Sequence, residues 1–294
     1  MTLHTRRLAA RPFVLLSALL LAGGLGACAS TTGAPEQPEG GQPVLSPPPP
    51  SQPRPTPEPP RATREPATPS AAEPPSVPAW VELSPGLRID RERRIVEFDG
   101  FVPWQFKEPE QPITFLEAIV CKTDSKEHES LVATGVRPSA IHGALLAIGL
   151  EAGRPGRIGF TPEGEFVREG PTGPRVHVRV LVSDPSGETK EIDPLDWVVN
   201  IEDGTPLRAY YEDRDERVAW RFAGSVERDR AGRMVYEADV EGVVIALHTF
   251  GSAVVGFEPV LSPDSGVDEP EWIANVDAVP DFGARVRVRI RIDE

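Results

Sequence analysis

The stretch ARVRVRIRI, residues 284–292, alternates strictly between basic and apolar residues. A period of two places successive side chains on opposite faces of a β-strand. The stretch therefore predicts a strand whose branched apolar side chains face a core. Its four arginines would line the other face, which we interpret as solvated and paired with the acidic surplus of the chain. An anion-binding stripe is the alternative interpretation.

Other short apolar and β-branched runs predict further strands around this one. The predicted strands cover residues 94–98, 113–121, 176–183, 218–222, 234–238 and 243–248. The first is followed by Asp99-Gly100, which predicts a hairpin turn. Strands at this density indicate a sheet-dominated domain.

Helical signals are fewer. Pro138 suits a first helical turn, and the apolar residues that follow are spaced as one helix face. These are Ile141, Ala144, Leu145 and Ile148, with Gly149 as a stop. Asp193 followed by Pro194 predicts the start of a second, short helix. We therefore predict an α+β fold, β-rich, with a mostly antiparallel sheet and one or two short helices.

The N-terminus has the pattern of an export signal. Three arginines at positions 6, 7 and 11 precede an apolar run, residues 12–21, which is too short to span a membrane. The sequence L-G-A-C that ends at Cys28 resembles the bacterial lipobox. This resemblance implies a lipoprotein signal peptide at residues 1–27, cleavage before Cys28 and lipidation of Cys28. An ordinary signal peptide followed by an incidental cysteine is the alternative.

These features predict a bacterial cell envelope protein that is anchored to the membrane through its N-terminal lipid. Ala29, rather than Asp, follows Cys28. By the sorting pattern of enterobacterial lipoproteins this favours the outer membrane over the inner. The domain is then expected in the periplasm or on the cell surface.

A proline-rich segment follows the lipidated cysteine. Residues 29–79 contain 17 prolines among 51 residues and almost no large apolar side chain. Such a segment cannot offset its ordering entropy by burial and is expected to be disordered. We predict a tether at residues 28–79, with a reach of about 150 Å when extended. A single globular domain, residues 80–294, follows it.

The domain is acidic, with 25 basic and 40 acidic residues in a chain of net charge −14. A surface of this sign disfavours nucleic acid and anionic lipid headgroups as partners. We therefore expect no nucleic-acid partner. The sequence remains compatible with two kinds of partner. One is the membrane, which the protein contacts through its lipid, and the other is an unidentified envelope ligand or protein.

The stretch KEHESL, residues 126–131, poses the main functional question. His128-Glu129 begins like the zinc-protease motif H-E-x-x-H, but Val132 stands where the second histidine is required, which excludes that motif. Ser225 lacks the G-x-S-x-G elbow, and no phosphate-binding glycine loop is present. The sequence therefore assigns no catalytic residue and no metal site, and it leaves any cofactor unknown.

A looser cluster remains as a candidate binding site. If residues 129–134 form a strand beside the predicted helix, Cys121, His128, Glu129 and His142 come within reach of each other. These residue types bind zinc or another borderline metal. In the structural interpretation, Glu129 and Ser130 close a turn and His142 is a hydrogen-bonded histidine at the core edge. Cys121 has no disulfide partner once Cys28 is lipidated, and its apolar neighbours favour a buried thiol over a nucleophile.

Several motifs together resemble the YdjY-like domain, a family of bacterial exported proteins and lipoproteins. The resemblance rests on K-E-H-E-S-L, I-H-G-A-L-L from Ile141, D-W-V from Asp196 and W-R-F-A-G-S from Trp220, and it covers most of residues 86–292. The family has no established biochemical activity. The resemblance therefore implies an architecture and an envelope location but no catalytic residues.

The predicted function is a lipid-anchored envelope protein with a non-enzymatic domain that binds a ligand or partner, or serves as a scaffold. The alternative is a metal-dependent hydrolase or redox protein that uses the Cys121, His128, Glu129 and His142 cluster. The sequence leaves open whether the protein is an enzyme.

Overall fold

The computed structural model describes residues 79–184, 186–214 and 218–293. The predicted signal peptide, Cys28 and all but the last residue of the predicted tether lie outside these residues. Among the helices that are described, none is both long and apolar enough to cross a membrane.

The described residues form seventeen strands, three short α-helices and two 3₁₀-helices. The strands are β1 (Val81–Ser84), β2 (Leu87–Asp90), β3 (Ile95–Phe101), β4 (Ala118–Lys122), β5 (Ser130–Thr134), β6 (Arg157–Phe160), β7 (Phe166–Glu169), β8 (Arg175–Ser183), β9 (Thr189–Ile192), β10 (Val198–Asn200), β11 (Trp220–Phe222), β12 (Glu227–Arg230), β13 (Arg233–Tyr236), β14 (Val243–Ala246), β15 (Val255–Phe257), β16 (Trp272–Ala274) and β17 (Arg285–Ile292). The α-helices are α1 (Pro138–Ala147), α2 (Leu207–Glu212) and α3 (Glu237–Glu241), and the 3₁₀-helices cover Glu127–Glu129 and Pro194–Trp197.

The alternating stretch forms β17, as predicted. Val286, Val288 and Ile290 are buried, and β17 pairs antiparallel with β3 on one side and β8 on the other. On the outer face, Arg287 and Arg289 make ion pairs with carboxylates of β3 and β9. At these two positions the arginine face is therefore paired with acidic residues, as the first interpretation expected.

Eight strands close into a barrel. Their order is β3, β17, β8, β11, β15, β14, β4 and β5, and β5 returns to β3 where Phe101 pairs with Ala133. The pairs β4–β5 and β14–β15 are parallel, whereas the other neighbours are antiparallel. The predicted β-rich, mostly antiparallel class is therefore confirmed. The closure of the sheet is an additional finding.

Gly100 explains how the barrel closes and corrects one prediction. The sequence predicts a hairpin turn at Asp99-Gly100, but both residues lie inside β3. A Cβ atom on Gly100 would lie 2.6 Å from Val132 Cγ1 and 3.0 Å from the carbonyl oxygen of Ala133. The missing side chain therefore lets β3 approach β5 closely, and the turn that leads into β3 lies earlier, at residues 91–94.

Most other predicted strands are present with shifted ends. The runs 176–183, 218–222 and 243–248 correspond to β8, β11 and β14. In the run 113–121, Phe115 forms only an isolated bridge to Ile273, and the strand begins at Ala118. The run 234–238 is divided, because β13 ends at Tyr236 and α3 begins at the next residue.

The helices follow their sequence signals where they are long enough to show a period. Helix α1 begins at Pro138, as predicted, and its first turn is capped from α3 by Asp239, which accepts hydrogen bonds from the Ser139 amide (2.8 Å) and hydroxyl (2.6 Å). The second predicted helix is a 3₁₀-helix in which Asp193 accepts from the Leu195 amide at 3.0 Å. Helices α2 and α3, of six and five residues, are too short to show a periodic pattern.

Candidate functional site

The KEHESL stretch lies at an unusually short connection between two parallel strands. Strands β4 and β5 are parallel neighbours, yet only residues 123–129 join them. Parallel neighbours usually need a dozen or more residues to cross back. Here the strands are five residues long, and the 3₁₀-helix Glu127–Glu129 forms part of the return. The stretch therefore ends at the barrel rim from which β4 also starts.

Two side chains close this crossover. The Glu127 carboxylate accepts hydrogen bonds from two preceding backbone amides, at 2.5 and 2.9 Å. The Ser130 hydroxyl donates to the carbonyl oxygen of Lys126 at 2.8 Å. The structural interpretation of the sequence assigned this closure to Glu129 and Ser130. Ser130 has that role, but Glu127 supplies the carboxylate, since Glu129 is engaged with Lys126 and His128.

Three ionisable residues meet at the same rim. Glu117 precedes β4, Glu129 precedes β5, and His248 follows β14, whose C-terminal end lies beside the start of β4 because these two strands are antiparallel. Backbone hydrogen bonds hold the three together. The Glu117 amide donates to the Glu129 carbonyl at 2.9 Å, and the His248 amide donates to the Glu117 carbonyl at 2.9 Å.

Lys126 joins the two glutamates. Its Nζ lies 2.6 Å from Glu117 Oε2 and 3.2 Å from Glu129 Oε2. On the outer side, His128 Nε2 lies 3.2 Å from Glu129 Oε1. One ammonium group therefore serves two carboxyl groups in a setting that is partly shielded from water.

The two glutamates differ in their affinity for protons. Burial raises the pKa of Glu117, although Lys126 opposes the rise. Burial also opposes ionisation of Glu129, but hydrogen bonding to Glu117 and Lys126 outweighs it, and the pKa of Glu129 falls. Glu117 is therefore the member of the pair that takes up a proton more readily.

His248 adds an unsatisfied polar atom. The residue is 8% exposed, and its Nδ1 has no hydrogen-bond partner among the described residues. Burial lowers the pKa of His248, against the opposing effects of the Leu116 backbone and the negative charge of Asp268. A buried polar atom without a partner costs about 1–3 kcal/mol. Such atoms are uncommon in folded proteins and call for an explanation.

These residues line a cleft of about 250 Å³, which we call the acidic cleft. Its lining includes Ile113, Thr114, Glu117, Glu129, His248, Ser262 and Asp268. Arg168 binds both carboxylate oxygens of Asp268, at 2.8 and 2.7 Å. Asp268 also accepts from the Ser262 amide at 2.7 Å. One wall of the cleft is therefore a loop that is tied to the hairpin of β6 and β7.

A second cleft of about 200 Å³, the apolar cleft, adjoins the first. Trp104, Phe106, Ile113, Ile273 and Val276 are among its lining residues, and Ile113 and Thr114 border both clefts. His128 also connects the two sides. Its ring packs edge-on against Trp104, with centroids 6.1 Å apart, while its Nε2 contacts Glu129.

The other two members of the predicted cluster lie in different surroundings. Cys121 is fully buried on β4, as predicted for a structural thiol, and burial raises its pKa. His142 lies on α1, where its Nδ1 is 2.7 Å from the Tyr236 hydroxyl, which donates to the Gly224 carbonyl at 2.9 Å. Burial lowers the pKa of His142, against the effect of the Gly224 carbonyl. His142 is thus hydrogen-bonded at the core edge.

Of the four predicted residues, His128 and Glu129 contact each other, whereas Cys121 and His142 each contact other partners. Within the described part of the chain, no group of three or more His, Cys, Asp or Glu side chains is arranged to hold a metal ion. The structure therefore does not assemble the four residues as one ligand set.

Sequence reasoning missed Glu117, His248 and Asp268 as site residues. Glu117 and His248 meet because β4 and β14 are neighbours in the barrel, although 130 residues lie between them in the chain. No local sequence pattern predicts which distant strands become neighbours. Lys126 could have been recognised, because it stands three residues before Glu129 in the same short helical turn.

Comparison with known proteins gives one match. The model of a family described as the YdjY domain matches residues 87–291, which is more than half of the chain and includes every residue of both clefts. No curated protein and no solved structure matches the chain.

Proposed function

The chain belongs to the YdjY domain family, and we propose that it is a lipid-anchored envelope protein whose domain binds a small ligand without chemical conversion. The proposed binding site is the acidic cleft together with the apolar cleft. The observation that carries the proposal is their common border at Ile113 and Thr114, which joins an apolar surface to a small set of polar groups. Ligand sites typically combine these two kinds of surface.

The polar groups support binding because they point to one place without forming a known catalytic arrangement. Glu117, Glu129, Asp268 and His248 all line the acidic cleft. Lys126 holds both glutamates, and its charge lowers the affinity of each carboxylate for a proton, which weakens either one as a general base. We therefore favour recognition over bond cleavage.

The anchor is supported by the L-G-A-C junction at Cys28 and by the proline-rich composition that follows it. A long extended tether would let the domain reach a ligand or partner well away from the membrane surface. The outer membrane, rather than the inner, is the membrane that Ala29 favours. A scaffold role for the same domain is compatible with this arrangement.

Native mass spectrometry tests the binding proposal. The processed protein, extracted in detergent from its own membranes, should carry a small molecule. Ile113→Glu places a charge on the common border of the clefts at a residue that is 66% exposed, so we expect it to remove that molecule without unfolding the domain. Met234→Glu, at a residue that is 58% exposed on β13, is the matched control and should retain the molecule.

Two results would contradict the proposal. Equal retention of the molecule by Ile113→Glu and Met234→Glu would place the binding site elsewhere. One equivalent of zinc or another transition metal in the untreated protein, lost on changing either His128 or His142 to alanine, would favour the alternative of a metal-dependent hydrolase or redox protein.

A further inference from the structure

The carboxylates of the acidic cleft already have cationic partners within the chain. Lys126 serves Glu117 and Glu129, and Arg168 binds both oxygens of Asp268. A cationic ligand would therefore have to compete with an existing partner. An anionic ligand would face the charges of Glu129 and Asp268. An uncharged ligand avoids both costs.

Hydroxyl groups suit the acidic cleft. His248 Nδ1 has no hydrogen-bond partner among the described residues, but it is closed to the cleft, so a ligand does not reach this nitrogen. The side chains of Glu129 and Asp268 are 26% and 28% exposed, and each carboxylate has further oxygen lone pairs beside its cationic partner. A hydroxyl group can donate to such an oxygen without displacing Lys126 or Arg168.

The backbone of Leu116 and Glu117 is not available for strand-like recognition of a peptide. The Leu116 amide donates to the Trp272 carbonyl at 2.9 Å, and the Glu117 amide donates to Glu129. The Glu117 carbonyl accepts from the amides of Leu247 and the next residue, at 3.0 and 2.9 Å. Peptides that add to a sheet edge need such groups to be free. Recognition beside Glu117 must therefore come from side chains.

The apolar cleft supplies a surface for a flat, weakly polar face. Trp104 and Phe106 are both partly exposed there, and Ile113 connects this surface to the acidic cleft. A sugar ring carries hydroxyl groups at its edge and C–H groups on its faces. It can therefore meet polar side chains on one side and an aromatic ring on the other.

We infer that the ligand is an uncharged oligosaccharide, with one ring in the acidic cleft and the next ring, or an acetamido methyl group, against Trp104. This inference rests on the proposed function and specifies its ligand class. It requires binding only, and no bond is formed or broken. The same chemistry is presented by a soluble oligosaccharide and by a glycan polymer of the envelope.

Titration calorimetry on the processed full-length protein tests the inference. The probes are the trimer of N-acetylglucosamine, which is uncharged, and its fully deacetylated counterpart, which is cationic. We expect the uncharged trimer to bind at least tenfold more tightly. A capped, uncharged tripeptide is the third probe and should show no binding. Retention on insoluble chitin, a polymer of the same sugar, would indicate a polymeric ligand, and trimer binding without retention a soluble one.

Matched tryptophan variants locate the binding. Trp104→Leu removes the aromatic surface of the apolar cleft and should weaken trimer binding at least tenfold. Trp80→Leu changes a tryptophan of similar exposure that packs on Arg88 instead, and should bind as the unchanged protein does. Ile113→Glu, at an exposed position, gives a second cleft variant that does not depend on the packing of Trp104.

The results separate this inference from the proposed function. Tighter binding of the cationic trimer, binding of the tripeptide, or equal trimer binding by the Trp104 and Trp80 variants would overturn the inference. If no sugar binds but native mass spectrometry still finds a molecule that Ile113→Glu loses, the inference fails and the proposed function stands. If no sugar binds and no such molecule is found, both fail.

Discussion

Glu97 on β3 lies directly opposite Arg289 on β17, and Arg289 Nε donates to Glu97 Oε1 at 2.7 Å. The Glu97 side chain is fully buried, whereas Arg289 is 24% exposed. Arg88 on β2 binds the second oxygen of the same carboxylate at 2.6 Å. The three side chains form a row across three adjacent strands. The arginine face of the alternating stretch thus covers a buried carboxylate of the neighbouring strand β3.

This row predicts unequal roles for the arginines of β17. Arg289→Met leaves Glu97 with Arg88 and the more distant Arg287, whose Nη1 is 3.8 Å away, and should lower the free energy of unfolding by roughly 1.5–3 kcal/mol. Arg291→Met, at an exposed position on the same strand face, should change it by no more than about 0.5 kcal/mol. Urea denaturation measures both. Equal losses in the two variants would show that the ion pair with Glu97 contributes nothing specific.

The opposite pKa shifts of Glu117 and Glu129 predict that the stability of the domain depends on pH. The folded-state pKa of Glu117 is raised above its ordinary value of 4.5. Its contribution to stability is therefore fully present below pH 4.5 and is lost as the pH rises through the folded-state pKa. The pKa of Glu129 is lowered. Its contribution to stability is therefore present above pH 4.5 and is lost as the pH falls through its folded-state pKa.

Glu117→Gln tests this prediction, because it keeps a neutral hydrogen-bonding group at the position. Its free energy of unfolding relative to the unchanged protein should increase as the pH rises from 4.5 to about 8. Denaturation in a series of buffers measures the difference. Glu227→Gln, on an exposed strand, controls for the loss of one negative charge. A constant or falling difference for Glu117→Gln would contradict a raised pKa for Glu117.

The hydrogen bond between Tyr236 and His142 predicts that His142 stabilises the fold. Tyr236→Phe removes the donor to the Gly224 carbonyl and leaves His142 Nδ1 without its partner. We expect a loss of about 1–3 kcal/mol in the free energy of unfolding. Tyr210→Phe is the control, because that ring packs against Trp272 and its hydroxyl makes no hydrogen bond that the described residues show. A loss of the same size in both variants would argue against the polar network.

The lipid anchor predicts different behaviour for the two cysteines of the chain. Cys28→Ala should block processing at L-G-A-C and release the protein from the membrane fraction. Cys121→Ala changes the buried thiol on β4 and should leave the protein in that fraction. Immunoblots of membranes washed with carbonate measure both. Retention of Cys28→Ala would remove the basis for the lipoprotein assignment.

Local patterns were sufficient for the elements that a single period describes. The alternation in β17 was predicted with its buried face, and the apolar spacing of α1 was predicted with its start at Pro138. Both depend on side chains that repeat along one segment, so the information is contained in that segment. The misplaced turn at Asp99-Gly100 shows the limit, because a glycine permits a tight turn and also a close approach of two strands.

The sequence by itself determined the alternating strand, the first helix, the sheet-rich class and the position of a polar crossover at KEHESL. Only the tertiary structure decided what KEHESL contacts. Closure of the barrel places the ends of β4, β5 and β14 at one rim, where Lys126 and Glu129 meet Glu117 and His248. These contacts join residues that are distant in the chain, and strand pairing creates them. Backbone hydrogen-bonding groups are the same in every residue except proline. Their pairing therefore assembles a site that no local side-chain pattern predicts.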